Sequence, residues 1–129
     1  MNMDQDTRDA IIAPFATDGM GTPDKTYVRY EGLTPEALKE LVDQGFADRG
    51  EAQNDAPELG SLLDYALENK SITFSGYTIG KPRNDYRVTV DKIVLSDKSD
   101  KDATIRFALR FHSADELSDH NGALSAWWD

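Results

Sequence analysis

Residues 103–112 read ATIRFALRFH, and the way this segment is taken decides the architecture. Apolar residues alternate with polar or small ones along it. Ile105, Phe107, Leu109 and Phe111 fall on one side, Arg106, Ala108, Arg110 and His112 on the other. A period of two marks a half-buried strand. The segment is therefore expected to close an antiparallel meander whose earlier strands lie just upstream.

In SITFSGYTIG (71–80), Ile72 and Phe74 point one way and Tyr77 and Ile79 the other. The change of side at Gly76 suggests a β-bulge. GKPRND (80–85) reads as a hairpin loop. DYRVTVDKIVLS (85–96) puts Tyr86, Val88 and Val90 on one face and becomes apolar on both through Ile93, Val94 and Leu95. SDKSDKD (96–102) reads as a solvated turn. Residues 77, 79, 93 and 95 are expected to leave apolar surface on the outer side of this sheet.

Upstream the period is helical. In LTPEALKELVDQGF (33–46), Thr34 is suited to cap a helix, with Pro35 at its first position and Leu33 stapled onto Leu38. Leu38, Leu41 and Val42 form its apolar stripe, and Gly45 can end it in a left-handed conformation. GFADRGEAQNDAPE (45–58) then joins this helix to a second. Asp55 is expected to cap that second helix, with Glu58 closing a capping box and Pro57 in the first turn. Leu59, Leu62, Leu63, Ala66 and Leu67 supply its stripe. TYVRYEG (26–32) alternates Val28 and Tyr30 against Tyr27 and Arg29, as a short strand does. Before it, Asp6 is expected to cap a helix over residues 7–13 limited by Pro14, and TDGMGTPD (17–24) has the composition of a turn.

The expected fold is a single α+β domain: a three- to four-stranded antiparallel sheet, built on the meander of C-terminal strands, packed against a two-helix layer. Its parts are an N-terminal arm (1–24), a strand and two helices (25–69), the meander (70–112) and a C-terminal tail (113–129). At 129 residues the chain needs no metal or disulfide staple.

Composition narrows function by exclusion. There is no cysteine, which removes disulfides, thiolate zinc sites and cysteine nucleophiles and fits a reducing compartment. The acidic MNMDQDTRD start is a poor signal peptide, and AIIAPFA is too short to span a bilayer. Together these point to a cytoplasmic protein without membrane partners. The net charge is −10, unevenly spread. Residues 1–69 carry fifteen acidic and five basic side chains, residues 70–112 five and nine, and residues 113–129 four and none. An acidic exterior disfavours nonspecific nucleic-acid binding, which needs clustered Lys and Arg.

Catalytic motifs are absent. There is no Walker loop, no GxSxG elbow and no HExxH. His112, Asp115, Glu116, Asp119 and His120 collect in HSADELSDH, whose residue types suit a metal. Their spacing matches no known loop, and a helix starting near Ser113 would account for Asp115 and Glu116 as first-turn acids. No catalytic residue, cofactor or metal ligand is therefore assigned.

Three sets of side chains stand out as a binding surface. Arg87, Arg106 and Arg110 would share the outer sheet face, beside Lys81, Arg83 and Tyr77, and could hold an anion or single-stranded nucleic acid. The wet face of an ordinary antiparallel sheet would look the same. Trp127 and Trp128, in ALSAWWD, either dock on their own domain or anchor a partner; docking on the domain is favoured. Arg49, Gln53 and Asn54 either order their loop or face a ligand; loop ordering is favoured.

The resulting expectation is a small acidic, non-enzymatic binding or regulatory protein. Its partner would be another protein, met as an inhibitor or nucleic-acid mimic meets its target. The rival reading is anion or single-stranded nucleic-acid binding on a basic sheet face. A remoter one is a metal-dependent hydrolase centred on His112.

Overall fold

The computed structural model describes residues 1–20 and 25–129. It is α+β, with four α-helices and a five-stranded antiparallel sheet. The helices are α1 (Gln5–Ile12), α2 (Pro35–Asp43), α3 (Leu59–Glu68) and α4 (Lys101–Arg110). The strands are β1 (Thr17–Met20), β2 (Tyr27–Leu33), β3 (Ile72–Ile79), β4 (Arg87–Leu95), β5 (Glu116–His120) and β6 (Ala123–Trp127). The sheet runs β2-β3-β4-β6-β5. β1 lies beside β2, where Ala16 bridges Tyr30. Of the expected 17–24 turn, residues 17–20 form β1 and residues 21–24 lie outside the described residues.

The decisive segment is a helix, and this corrects the expected third strand of the meander. Asp100 caps α4 by accepting from the Ala103 N–H at 3.1 Å, and Arg110 in the last turn suits the helix dipole. Four apolar residues spaced by two also contain two pairs spaced by four, so the pattern satisfies a helix as well as a strand. The helix divides them. Phe107 and Phe111 are buried together at 4.8 Å between ring centres, against Tyr65. Ile105 and Leu109 remain 56% and 69% exposed.

The place beside β4 is filled instead by the C-terminal residues. Residues 113–129 are neither a helix nor a loose tail but a hairpin, β5–β6. Its turn is Asn121-Gly122, both at positive φ (51° and 79°), the backbone that a two-residue hairpin loop requires. Trp128 follows β6 and is 2% exposed, packed edge-on against Phe111.

Other expectations move by smaller amounts. Helix α2 starts and ends as its sequence predicts. Thr34 accepts from the Ala37 N–H, and Gly45 (φ 81°) lets the Gly45 and Phe46 N–H groups reach the carbonyls of Val42 and Leu41. Helix α1 is capped by Asp4 rather than Asp6. Helix α3 starts at Leu59 with no side-chain cap, so Asp55 and Glu58 form no capping box. A turn closed by the Ala56 N–H on the Gln53 carbonyl, with Asn54 at φ 49°, holds Asp55 away from the helix. Leu67, on the solvent side of α3, is exposed rather than part of the stripe.

The sheet irregularity is real, but the extra residues lie opposite Gly76, on both neighbours of β3. Between Tyr30 and Leu33, β2 carries two residues against Ser75 alone; β4 carries Asp91 unopposed between Val90 and Lys92. Gly76 is required there. A Cβ on it would lie 1.9 Å from the Thr89 carbonyl oxygen and 2.6 Å from the Tyr30 hydroxyl, which donates to that carbonyl. Because the bulge shifts the pleat, Ile93 and Leu95 turn inward and do not form the expected outer apolar surface. The inner face, including Val28, Phe74, Val88, Ile93, Leu95 and Ala126, joins one core with Ile12, Leu38, Leu41, Leu62 and Phe107 from the four helices. No helix among the described residues is long and apolar enough to cross a membrane.

Candidate functional site

The outer face of the sheet divides into a closed end and an open end. At the closed end, polar groups satisfy one another. Arg29 forms a bidentate pair with Asp91 at 2.7 and 3.2 Å, and although burial opposes its charge, this pairing raises its pKa. Tyr27 stacks on Tyr77 at 5.4 Å. Arg87 lies over the Tyr77 ring and donates to the Tyr77 hydroxyl at 3.1 Å and the Asp85 carboxylate at 2.9 Å, with Glu51 at 3.9 Å. The hydrogen bond from Arg87, joined by that from Arg83, holds the Asp85 carboxyl below the ordinary aspartate range.

The open end is a groove of about 800 Å³. Its floor is set by the strand register. Ser75, Lys92, Trp127 and Glu116 lie side by side across β3, β4, β6 and β5, and the Glu31–Gly32 bulge of β2 flanks Ser75. A parallel row places Thr73, Val94, Ser125 and Ser118 beside one another. Serine is a poor strand residue, and long or branched side chains are the usual choice on a wet sheet face. Small hydroxyl residues leave this floor low. Lys92 makes no hydrogen bond or ion pair with the described residues, and the Ser75 hydroxyl, on a residue only 4% exposed, makes none either.

The residues singled out from sequence do not converge on this groove. Arg106 and Arg110 stand on exposed turns of α4, not on the sheet, because their segment is helical. The three-arginine sheet face is therefore not assembled, and Arg87 is already held by Asp85 and Tyr77. Lys81 and Arg83 remain in the β3–β4 loop, where Arg83 pairs with Asp85. Arg49 binds Asp64 at 2.7 Å and the Gly60 carbonyl at 3.3 Å. Gln53 accepts from the Tyr77 hydroxyl, and Asn54 donates to the Asp129 carbonyl. These three tie residues 48–58 to α3, to the sheet and to the end of the hairpin. Of the two tryptophans, Trp127 lines the groove and Trp128 enters the core.

The acidic-histidine segment is likewise dispersed. His112 Nδ1 lies 2.9 Å from the Leu109 carbonyl, Asp115 accepts from the Asp129 N–H, Asp119 pairs with Lys98, and His120 Nε2 accepts from Asn121. Among the described residues no group of three such side chains is arranged to hold a metal. The groove residues Glu31, Ser75 and Lys92 carry no motif. Only the Asn-Gly turn, which places β6 beside β4, could have led to them.

No protein-family profile, curated protein or solved structure matches the chain.

Proposed function

We propose that the chain is a non-catalytic binding protein whose acidic exterior engages a cationic surface of another protein, as an inhibitor or a nucleic-acid mimic would. One observation carries the reading. The cations Arg29, Arg49, Arg83, Arg87 and Lys98 are each held by a carboxylate of the same chain, whereas exposed Glu31, Glu36 and Glu116 have no ion partner among the described residues. Exposed Lys70, Lys81, Lys101, Arg106 and Arg110 likewise form no ion pair among the described residues, but acidic side chains outnumber basic ones by ten, so the outward field is negative. Such a field steers a cationic partner into encounter and repels phosphate.

The anion reading has less support, since Arg87 is occupied by Asp85 and Arg106 and Arg110 stand on α4 rather than on the sheet. The test is a pull-down with the full chain as bait, identification of retained proteins by mass spectrometry, and affinity measured against salt. A basic partner whose affinity falls steeply as the screening length shrinks below about 8 Å supports the reading. Retention of nucleic acid, or affinity indifferent to salt, overturns it.

A further inference from the structure

We infer that the groove between Glu31 and Glu116 seats an extended basic segment of the partner, two cations apart by the width of the sheet. This rests on the reading of the chain as a binder of cationic protein, and it adds the place and the shape of the ligand.

Three features point to a ligand there. Ser75 is 4% exposed, yet its hydroxyl has no partner among the described residues and lies in the groove wall. That hydroxyl opens onto the groove, where it is free to pair with a polar group entering it. Lys92, next to it on β4, is an ammonium without a counter-ion among the described residues. Trp127, next again on β6, offers a partly buried indole beside Glu116.

The chemistry of the row selects the ligand. Its two ends are exposed carboxylates and its middle is a donor pair, Lys92 and Ser75. An extended peptide presents that complement: cationic side chains at its ends and backbone carbonyls between them. An arginine at the Glu116 end also meets the Trp127 ring, a favourable contact for a guanidinium. An anionic ligand would face Glu31, Glu116 and Asp119, the last paired with Lys98, against the one ammonium of Lys92 in the groove lining, within a chain of net charge −10.

Spacing follows from the sheet. Glu31 and Glu116 are separated by four interstrand steps, β2 to β3, β4, β6 and β5. At about 4.8 Å per step this is roughly 19 Å, which an extended chain rising about 3.3 Å per residue covers in about six residues.

The probe is a synthetic peptide with two arginines about six residues apart, separated by serine and glycine. One control has the arginines adjacent and another has glutamates in their place. Binding to the full chain is followed by tryptophan emission and by the indole N–H resonances. The spaced arginine peptide is expected to bind best and to move the Trp127 resonance rather than that of Trp128. Glu31→Lys together with Glu116→Lys should weaken it about tenfold or more, while Glu36→Lys, also exposed but on α2, should change it less than about twofold. Equal losses from the double reversal and from Glu36→Lys, an unmoved Trp127 resonance or no binding of the arginine peptide would overturn the groove assignment and leave the broader reading standing. Preferential binding of the glutamate peptide would overturn both.

Discussion

Phe107→Ala and Leu109→Ala, made separately, distinguish a helix from a strand over residues 103–112. In a strand the two side chains share a face and lose similar burial. In α4 they do not. Phe107 is fully buried, 4.8 Å from Phe111 and 6.2 Å from Tyr65 between ring centres. Truncating such a phenylalanine costs about 3–5 kcal/mol, through lost transfer energy and the cavity left behind. Leu109 is 69% exposed. Little of its surface is removed from water, and alanine is the better helix former, so the cost should stay within about 0.5 kcal/mol. The variants should thus differ by about 3 kcal/mol. For a domain of this size that corresponds to roughly 12 °C in melting temperature. Urea unfolding with an unchanged slope would confirm that stability, not cooperativity, is being read. Equal losses from the two substitutions would refute the helix.

Caps and charge offer further measurements. Asp100→Ala should destabilise by about 1 kcal/mol because it removes the acceptor for the Ala103 N–H. Asp55→Ala, which touches no helix end, should stay within about 0.5 kcal/mol by chemical denaturation. Asp85 contributes stability above the ordinary aspartate range, since its folded pKa is lowered by Arg87, and loses it as pH falls through that lowered value. The stability gap between the wild type and Asp85→Asn should therefore narrow as the solution is acidified below about pH 4. A gap constant from neutral to strongly acid solution would contradict this.

Local rules were legible where one residue sufficed to satisfy one backbone group. Thr34, Pro35 and Gly45 determine where α2 starts and stops, and the alternation of β2, β3 and β4 marks their inner faces. The error at residues 103–112 arose because alternation and helical pairing coincide over four apolar residues, and propensity did not separate them. The deciding information was elsewhere: Asp100 as a cap, and Asn121-Gly122 as a hairpin turn that gives β4 another neighbour. Asp55 has cap chemistry, but a turn at Asn54 takes the chain off the helix axis. The groove was illegible for a related reason. Its row is drawn from β2, β3, β4, β6 and β5, and only the register of five strands places Glu31 and Glu116 at its two ends.

The strand order carries a consequence for synthesis. β6 lies between β4 and β5, yet it is the last strand to be made. Until residues 123–127 emerge, the Lys92–Leu95 edge of β4 has no pairing partner, and Trp128 is not yet there to pack against Phe111. An unpaired edge rich in Ile and Val is a template for pairing with other chains. The first sixty-nine residues, with fifteen acidic side chains against five basic, emerge before that edge exists. Neighbouring chains at that stage are like-charged, which opposes edge-to-edge pairing until the hairpin closes the edge.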